Sequence, residues 1–352
     1  KVAMNKGFYK LKVQEMLSIS PSKVCKTISV SKSVKNALGT WELKEKSKSV
    51  NTAQKLEKKF HNFEISSNSQ KNLRSKVEWL FQYAKSRNVK TYTNKIIKNY
   101  KCGFITLTLP AKQFHNTAYI ITQMLDEFLQ QLRKRIKMIN YVWRLEFQAN
   151  GNAHFHIVTD SYCDYYLALK IWNKILSTHG YVELYKNKMS ALSYNEYCSK
   201  FGKKSNGEKI PNEVLFKRYN YGKSTNWSSP NTVDCKNISR GGSISFYISK
   251  YFSKKEKSAK CNKLDNSENS FALRLCFWSR SLSRCKAESM PVEYYDTNIF
   301  EVLKKDESVH IVNYDYCSVA YFEFEKLNSI SKELLHNYFI KCKILDEYQS
   351  AV

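Results

Sequence analysis

Between residues 100 and 160 the chain alternates apolar and polar side chains with a period of two, around one long stretch with helical spacing. Residues 103–110 read Gly-Phe-Ile-Thr-Leu-Thr-Leu-Pro, a buried strand ended by proline. Over about 117–138, Ile121, Met124, Leu125, Phe128 and Leu132 fall on one helix face, and the basic turn Arg133 to Lys137 suits a helix C-terminus. The next strand, 141–148, separates an apolar set (Tyr141, Trp143, Leu145, Phe147) from a polar set (Arg144, Glu146, Gln148). Asn150-Gly151 is a hairpin signal leading into a strand at 153–159. Side chains two apart in a strand point the same way, so His154 and His156 project together while Phe155 and Ile157 face a core.

Register decides whether the two polar sets meet. With an odd loop such as Asn150 to Asn152, Glu146 lies opposite His156 and Gln148 opposite His154. A two-residue loop would set the histidines against Phe147 and Leu145 and mix polar with apolar residues on both faces, which a half-buried sheet resists. The amphipathic pattern therefore favours the odd loop and brings Glu146, His154 and His156 together.

Elsewhere the spacing predicts a helix over about 70–87 (Leu73, Val77, Leu80, Phe81, Ala84), a helix around 164–176 and a strand at about 180–186. Residues 201–242, with Pro211 and Pro230, read as mostly loop. Strands at about 308–313 and 317–324 and a helix at about 328–340 close the pattern. The expected fold class is α+β, a central antiparallel sheet with helices packed on one face. Three parts are expected: a basic N-terminal region, 1–90, whose first 66 residues are rich in Lys and Ser with weak periodicity; a main domain, 91–290; and a C-terminal accessory element, 291–352.

Charge narrows the partner. Lys and Arg number 58 against 31 acidic residues, a formal net charge of +27, so the natural ligand is a polyanion. The excess is uneven: residues 1–100 carry 22 basic and 6 acidic side chains (net +16), residues 286–352 carry 7 and 12 (net −5). Nucleic acid comes first, an anionic membrane surface second. No segment approaches the roughly 18 consecutive apolar residues of a membrane span, and the start shows no secretory pattern. The ten cysteines are scattered without a Cys-x-x-Cys pair, which fits neither a zinc module nor a disulfide framework and suits a reducing compartment. A cytoplasmic protein without membrane partners is expected.

Two constellations carry candidate chemistry. Glu146, His154 and His156 offer two imidazoles and a carboxylate with positions left open, suited to Mn²⁺, or to Mg²⁺ when substrate phosphate adds oxygens. A helix starting near Ser243 would place Tyr247, Lys250, Tyr251 and Lys254 on one stripe, with Phe246, Ile248 and Phe252 turned away. A tyrosine hydroxyl can attack a phosphodiester whose non-bridging oxygens are polarised, and a nearby lysine can neutralise developing charge. The bland alternatives are a polar strand face and a half-exposed, snorkelling helix face. Gly222-Lys223-Ser224 is discounted as a phosphate-binding loop because Lys217 stands where its first glycine belongs. His61, His115, His179, His310 and His336 have no companion ligands in sequence.

Together these motifs resemble the HUH endonucleases that initiate rolling-circle replication. Phe104 to Leu109 is similar to their first motif, His154-Phe155-His156 to the histidine motif, and Tyr247 to Tyr251 to the two-tyrosine motif, in the same order. Tyrosines with three residues between them, and lysine before the second, resemble initiators of small single-stranded DNA phages. Asn226 to Asp234 and Arg274 to Leu282 resemble segments flanking the tyrosine helix, so the likeness spans about 100–285. It implies nicking and joining of single-stranded DNA at a replication origin, through a 5′-phosphotyrosine on Tyr247 or Tyr251. Glu146, His154 and His156 would hold the metal, Lys250 and Lys254 would face DNA phosphate, and a host helicase and DNA polymerase would complete replication. Tyr247 is favoured as first nucleophile, and Gln148 as a further ligand or outer partner. Weaker alternatives are an HUH transposase or relaxase, or a non-catalytic nucleic-acid-binding protein.

Overall fold

A computed structural model describes residues 3–6, 9–35, 40–43, 65, 67–204, 207–238, 275–285, 289–291, 299–315 and 317–341. Its architecture is α+β, with antiparallel sheets flanked by helices.

The chain opens with β1 (Ala3–Lys6), β2 (Tyr9–Ser20), β3 (Lys23–Lys35) and β4 (Trp41–Leu43). The turn Pro21-Ser22 joins β2 to β3, and the Ser20 hydroxyl donates to the Lys23 carbonyl at 2.9 Å. After helix Ser67–Tyr83 comes a two-stranded ribbon, β5 (Arg87–Lys90) with β6 (Ile96–Tyr100). The five strands of the central sheet are β7 (Cys102–Thr108), β8 (Tyr141–Phe147), β9 (Ala153–Thr159), β10 (Val233–Ile238) and β11 (Cys276–Trp278). They lie in the order β10-β7-β9-β8-β11, antiparallel throughout, so the His-x-His strand is the middle one. Finally β12 (Ser289–Pro291), β13 (His310–Tyr314) and β14 (Cys317–Tyr321) return to the first sheet, where β14 pairs with β3 and β12 with β2. Segments from both ends of the sequence thus share one sheet.

The two faces of the central sheet explain its alternation. Ile105, Leu107, Trp143, Leu145, Phe155 and Ile157 pack against the helix that starts at Thr117–Tyr119, passes through a π-helical segment, Ile120–Leu125, and ends as Asp126–Ile136, and against helix Tyr165–Thr178. On the opposite face Cys102, Phe104, Val142 and Val158 bury under helix Ser67–Tyr83, in one core with Leu17, Ile19 and Val24 of the first sheet. Helices therefore cover both faces, not one as the pattern suggested. On that second face, the polar residues further along the strands are left to form a site.

Two expectations are corrected. Residues 181–190 form helix Tyr181–Ser190, not a strand, because Tyr181, Val182 and Met189 are buried at helical spacing. Residues 201–242, read as mostly loop, contain helix Asn212–Ser224 and strand β10. Pro211 stands just before that helix, where a missing N–H costs nothing. Gly222 lies inside it because Trp227 packs so close that a Cβ there would sit 2.2 Å from the indole. The remaining predicted elements among the described residues stand within a few residues of their expected bounds, including helix Ser329–Lys341. Among the described residues no helix is long and apolar enough to cross a membrane.

Candidate functional site

Strands β7, β8 and β9 bring two polar rows to the uncovered part of the second face. Thr106, His156 and Arg144 stand side by side in one row, Thr108, His154 and Glu146 in the next. The loop between β8 and β9 has an odd length, as the amphipathic pattern required, but runs from Gln148 to Asn152 rather than Asn150 to Asn152. Glu146 is consequently opposite His154, and Arg144 takes the place opposite His156. The shift of two residues preserves every side chain's face, which is why the carboxylate still reaches His156, diagonally.

That loop is held by a buried polar clasp. Gly151 adopts φ 83°, the left-handed region open to glycine, and the Gln148 amide donates to the Asn152 carbonyl at 2.9 Å. The Asn152 side chain accepts from the Gln113 amide at 2.9 Å and donates to the Ala111 carbonyl at 2.8 Å. Gln113 Oε1 in turn accepts from the Ala153 amide at 2.8 Å. The segment after β7 thereby fixes the hairpin that carries both histidines. Gln148 uses its backbone in this turn and lies outside the paired strands.

His156 Nε2 is 2.9 Å from Glu146 Oε2. Donation from Nε2 leaves Nδ1 as the acceptor for the Thr106 hydroxyl, 3.4 Å away, so the two neighbours select one tautomer. The ring stacks on Phe104, with centroids 5.4 Å apart and planes 28° from parallel. The His154 ring stands edge-on to it at 4.6 Å. His154 Nδ1 is buried and has no hydrogen-bond partner among the described residues. Burial, helped by the neighbouring His156, pushes the His154 pKa down to about 4, so its imidazole is neutral near pH 7. Burial alone would raise the Glu146 carboxyl. The hydrogen bond with His156 and the charges of His156, Arg144 and His154 outweigh it and hold that pKa below the usual range.

These features bear on whether a divalent ion fits. Two ligands at right angles on an ion with bonds of about 2.1 Å lie about 3 Å apart, which matches the separation of Glu146 and His156. Neutral imidazoles and an ionised carboxylate are the required protonation states. Among the described residues no group of three or more His, Cys, Asp or Glu already converges as a metal cluster. The donor set fits, with two donors in contact and the third ring beside them.

Tyr247, Lys250, Tyr251 and Lys254 lie outside the described residues. Sequence reasoning gave no role to Arg144 or Thr106, although both sit in the histidine row, Arg144 with only 1 % of its surface exposed. Membership of the polar set of an alternating strand was the available signal for Arg144. His115 and His179, solitary in sequence, come together with centroids 6.1 Å apart, His115 bonded to the Tyr181 hydroxyl and His179 to that of Tyr119.

Residues 102–256 match the model of a family of replication-associated proteins of the ORF2 type. The match covers somewhat under half of the chain and includes both candidate constellations. No curated protein and no solved structure matches. The family match supports a replication initiator with DNA as its partner.

Proposed function

We propose that this protein is an HUH-type rolling-circle replication initiator that nicks and rejoins single-stranded DNA at an origin through a 5′-phosphotyrosine intermediate. The observation that carries the reading is the Glu146–His156 contact beside His154 on the middle strand, within a segment that matches a replication-associated family. Glu146, His154 and His156 would hold Mg²⁺ or Mn²⁺. Such an ion supplies Lewis acidity, polarising the non-bridging oxygens of the scissile phosphate.

The chain's own groups then have defined tasks. Thr106 fixes the His156 tautomer, and Arg144 keeps Glu146 ionised. The hydroxyl of Tyr247 or Tyr251 attacks phosphorus, its proton leaves to solvent, and the bond to the 3′ oxygen breaks. The DNA 5′ phosphate ends on tyrosine and a 3′-hydroxyl is freed for a polymerase. Lys250 and Lys254 would offset the phosphate charge. Attack by a 3′-hydroxyl on the phosphotyrosine reverses these steps and rejoins a strand. Two tyrosines one helical turn apart would reach one ion and alternate. A host helicase and polymerase would act on the product.

A non-catalytic nucleic-acid-binding protein is the second reading, favoured by the direct Glu146–His156 bond, which satisfies both groups without an ion. Incubation with single-stranded origin oligonucleotides and Mn²⁺ or Mg²⁺ separates the two. A protein–DNA band resistant to denaturant is expected, and it should vanish in Tyr247→Phe/Tyr251→Phe while DNA binding persists. Absence of the band across origin sequences would leave the binding protein.

A further inference from the structure

The ribbon β5–β6 belongs to neither large sheet and precedes the family-matched segment. No acidic residue occurs between Glu78 and Asp126, an interval holding seven lysines and arginines. Arg87, Lys90, Lys95 and Lys98 are all exposed on the ribbon. Lys90, Lys95 and Lys98 form no ion pair with a described residue. At its tip Tyr92 is 79 % exposed, and its ring lies 5.8 Å from that of Tyr166, itself 54 % exposed.

The tip is fixed in place. Asp164 caps helix Tyr165–Thr178 by accepting from the Tyr166 amide at 2.9 Å, and its other oxygen accepts from the Tyr92 amide at 3.1 Å and the Tyr162 hydroxyl at 3.1 Å. The nearest carboxylate is thus engaged with donors of the fold. At the base, Arg87 donates to the Asp160 carbonyl at 2.8 Å and the Tyr100 hydroxyl to the Ser161 carbonyl at 3.0 Å. A cleft of about 210 Å³ separates ribbon and body, lined by Tyr162, Tyr165, Tyr166 and Lys236 among others.

We infer that the β5–β6 ribbon and the tyrosines at the head of helix Tyr165–Thr178 form a binding surface for single-stranded DNA. Lys90, Lys95 and Lys98 take backbone phosphates, and the rings of Tyr92 and Tyr166 stack on bases. Unpaired exposed cations around exposed aromatic rings are the two components of such surfaces. A duplex hides its base faces, so exposed rings favour the single strand. The ribbon flanks the Gly103 end of β7, three residues from the Thr106–His156 row, or about 10 Å at roughly 3.3 Å per residue. DNA held here flanks the candidate site without entering it. The inference shares with the proposed function only its single-stranded DNA partner.

The test measures equilibrium binding of the full chain to a fluorescent oligothymidylate over a series of salt concentrations, without divalent ions. Lys90→Ala/Lys95→Ala/Lys98→Ala should flatten the slope of log affinity against log salt by about 2, at about 0.7 per phosphate contact. Lys304→Ala/Lys305→Ala/Lys326→Ala, equally charged and on the acidic C-terminal part, should leave the slope near wild type. Tyr92→Ala, a single exposed change that keeps the fold even if the triple variant does not, should weaken single-strand binding about five-fold or more. Its effect on duplex of equal length should be under two-fold. An unchanged slope in the ribbon variant, equal flattening in the control, or equal loss on duplex overturns the inference. Failure of the nickase reading shows separately, as absence of a covalent adduct from the wild-type chain.

Discussion

His154 and His156 differ by two positions yet occupy different surroundings. His156 has both ring nitrogens near partners, Glu146 and Thr106, whereas His154 keeps Nδ1 buried without one among the described residues. An orphaned buried nitrogen is costly unless something else satisfies it, and a ligand role would do so. Asn152 shows the same accounting fully closed. In sequence it is one residue of a turn, but its buried amide stitches the hairpin to Ala111 and Gln113. Asn152→Ala would strand a buried N–H and a buried C=O, so a loss of about 2 kcal/mol or more is expected in urea denaturation. The sequence showed the turn signal. It could not show the clasp, because Gln113 is 39 residues away.

At the scale of elements, helix Asn212–Ser224 teaches the limits of local signals. Gly and Pro suggested loop, yet both are placed where the helix tolerates them. In an open helix Gly222→Ala would gain about 1 kcal/mol of propensity. Here the new methyl would press on the Trp227 ring, and overpacking costs about 1–3 kcal/mol. The net expectation is a lower Tm by thermal melting. A gain would mean that the indole moves aside freely.

Asp306 plays a comparable part before β13. Burial alone would raise its pKa, but hydrogen bonds from the Ser308 hydroxyl and amide and from the Asn328 amide hold it down at about 2. A folded-state pKa below the unfolded value, about 3.9, adds stability above that value and loses it as pH falls toward 2. Between pH 4 and 2 the wild type should therefore lose more stability than Asp306→Asn, read as the change in denaturation midpoint at each pH.

For the whole molecule, charge and fold separate two activities. The +27 charge acts on any polyanion and is screened by salt, whereas the Glu146, His154 and His156 set acts on one phosphate. EDTA should abolish adduct formation while DNA retention at low salt changes less than two-fold, as measured by filter binding beside a denaturing gel. Added Mn²⁺ should restore the adduct. Loss of both together would tie the ion to folding instead.

The central α+β core was legible because its strands obey a period of two and its helices one near 3.6, patterns that survive without knowledge of neighbours. The histidine pair and its facing carboxylate were legible for the same reason: parity alone assigns side chains to a sheet face. The exact register was not, because pairings two residues apart satisfy the same parity, and the choice fell to the Asn152–Gln113 clasp. Nor could sequence place β3 against β14 or His115 beside His179, contacts between segments far apart in the chain. Periodicity is a local property, fixed by covalent geometry. Which surfaces meet depends on how whole elements fill space and satisfy their buried polar groups, and only the tertiary structure decided that.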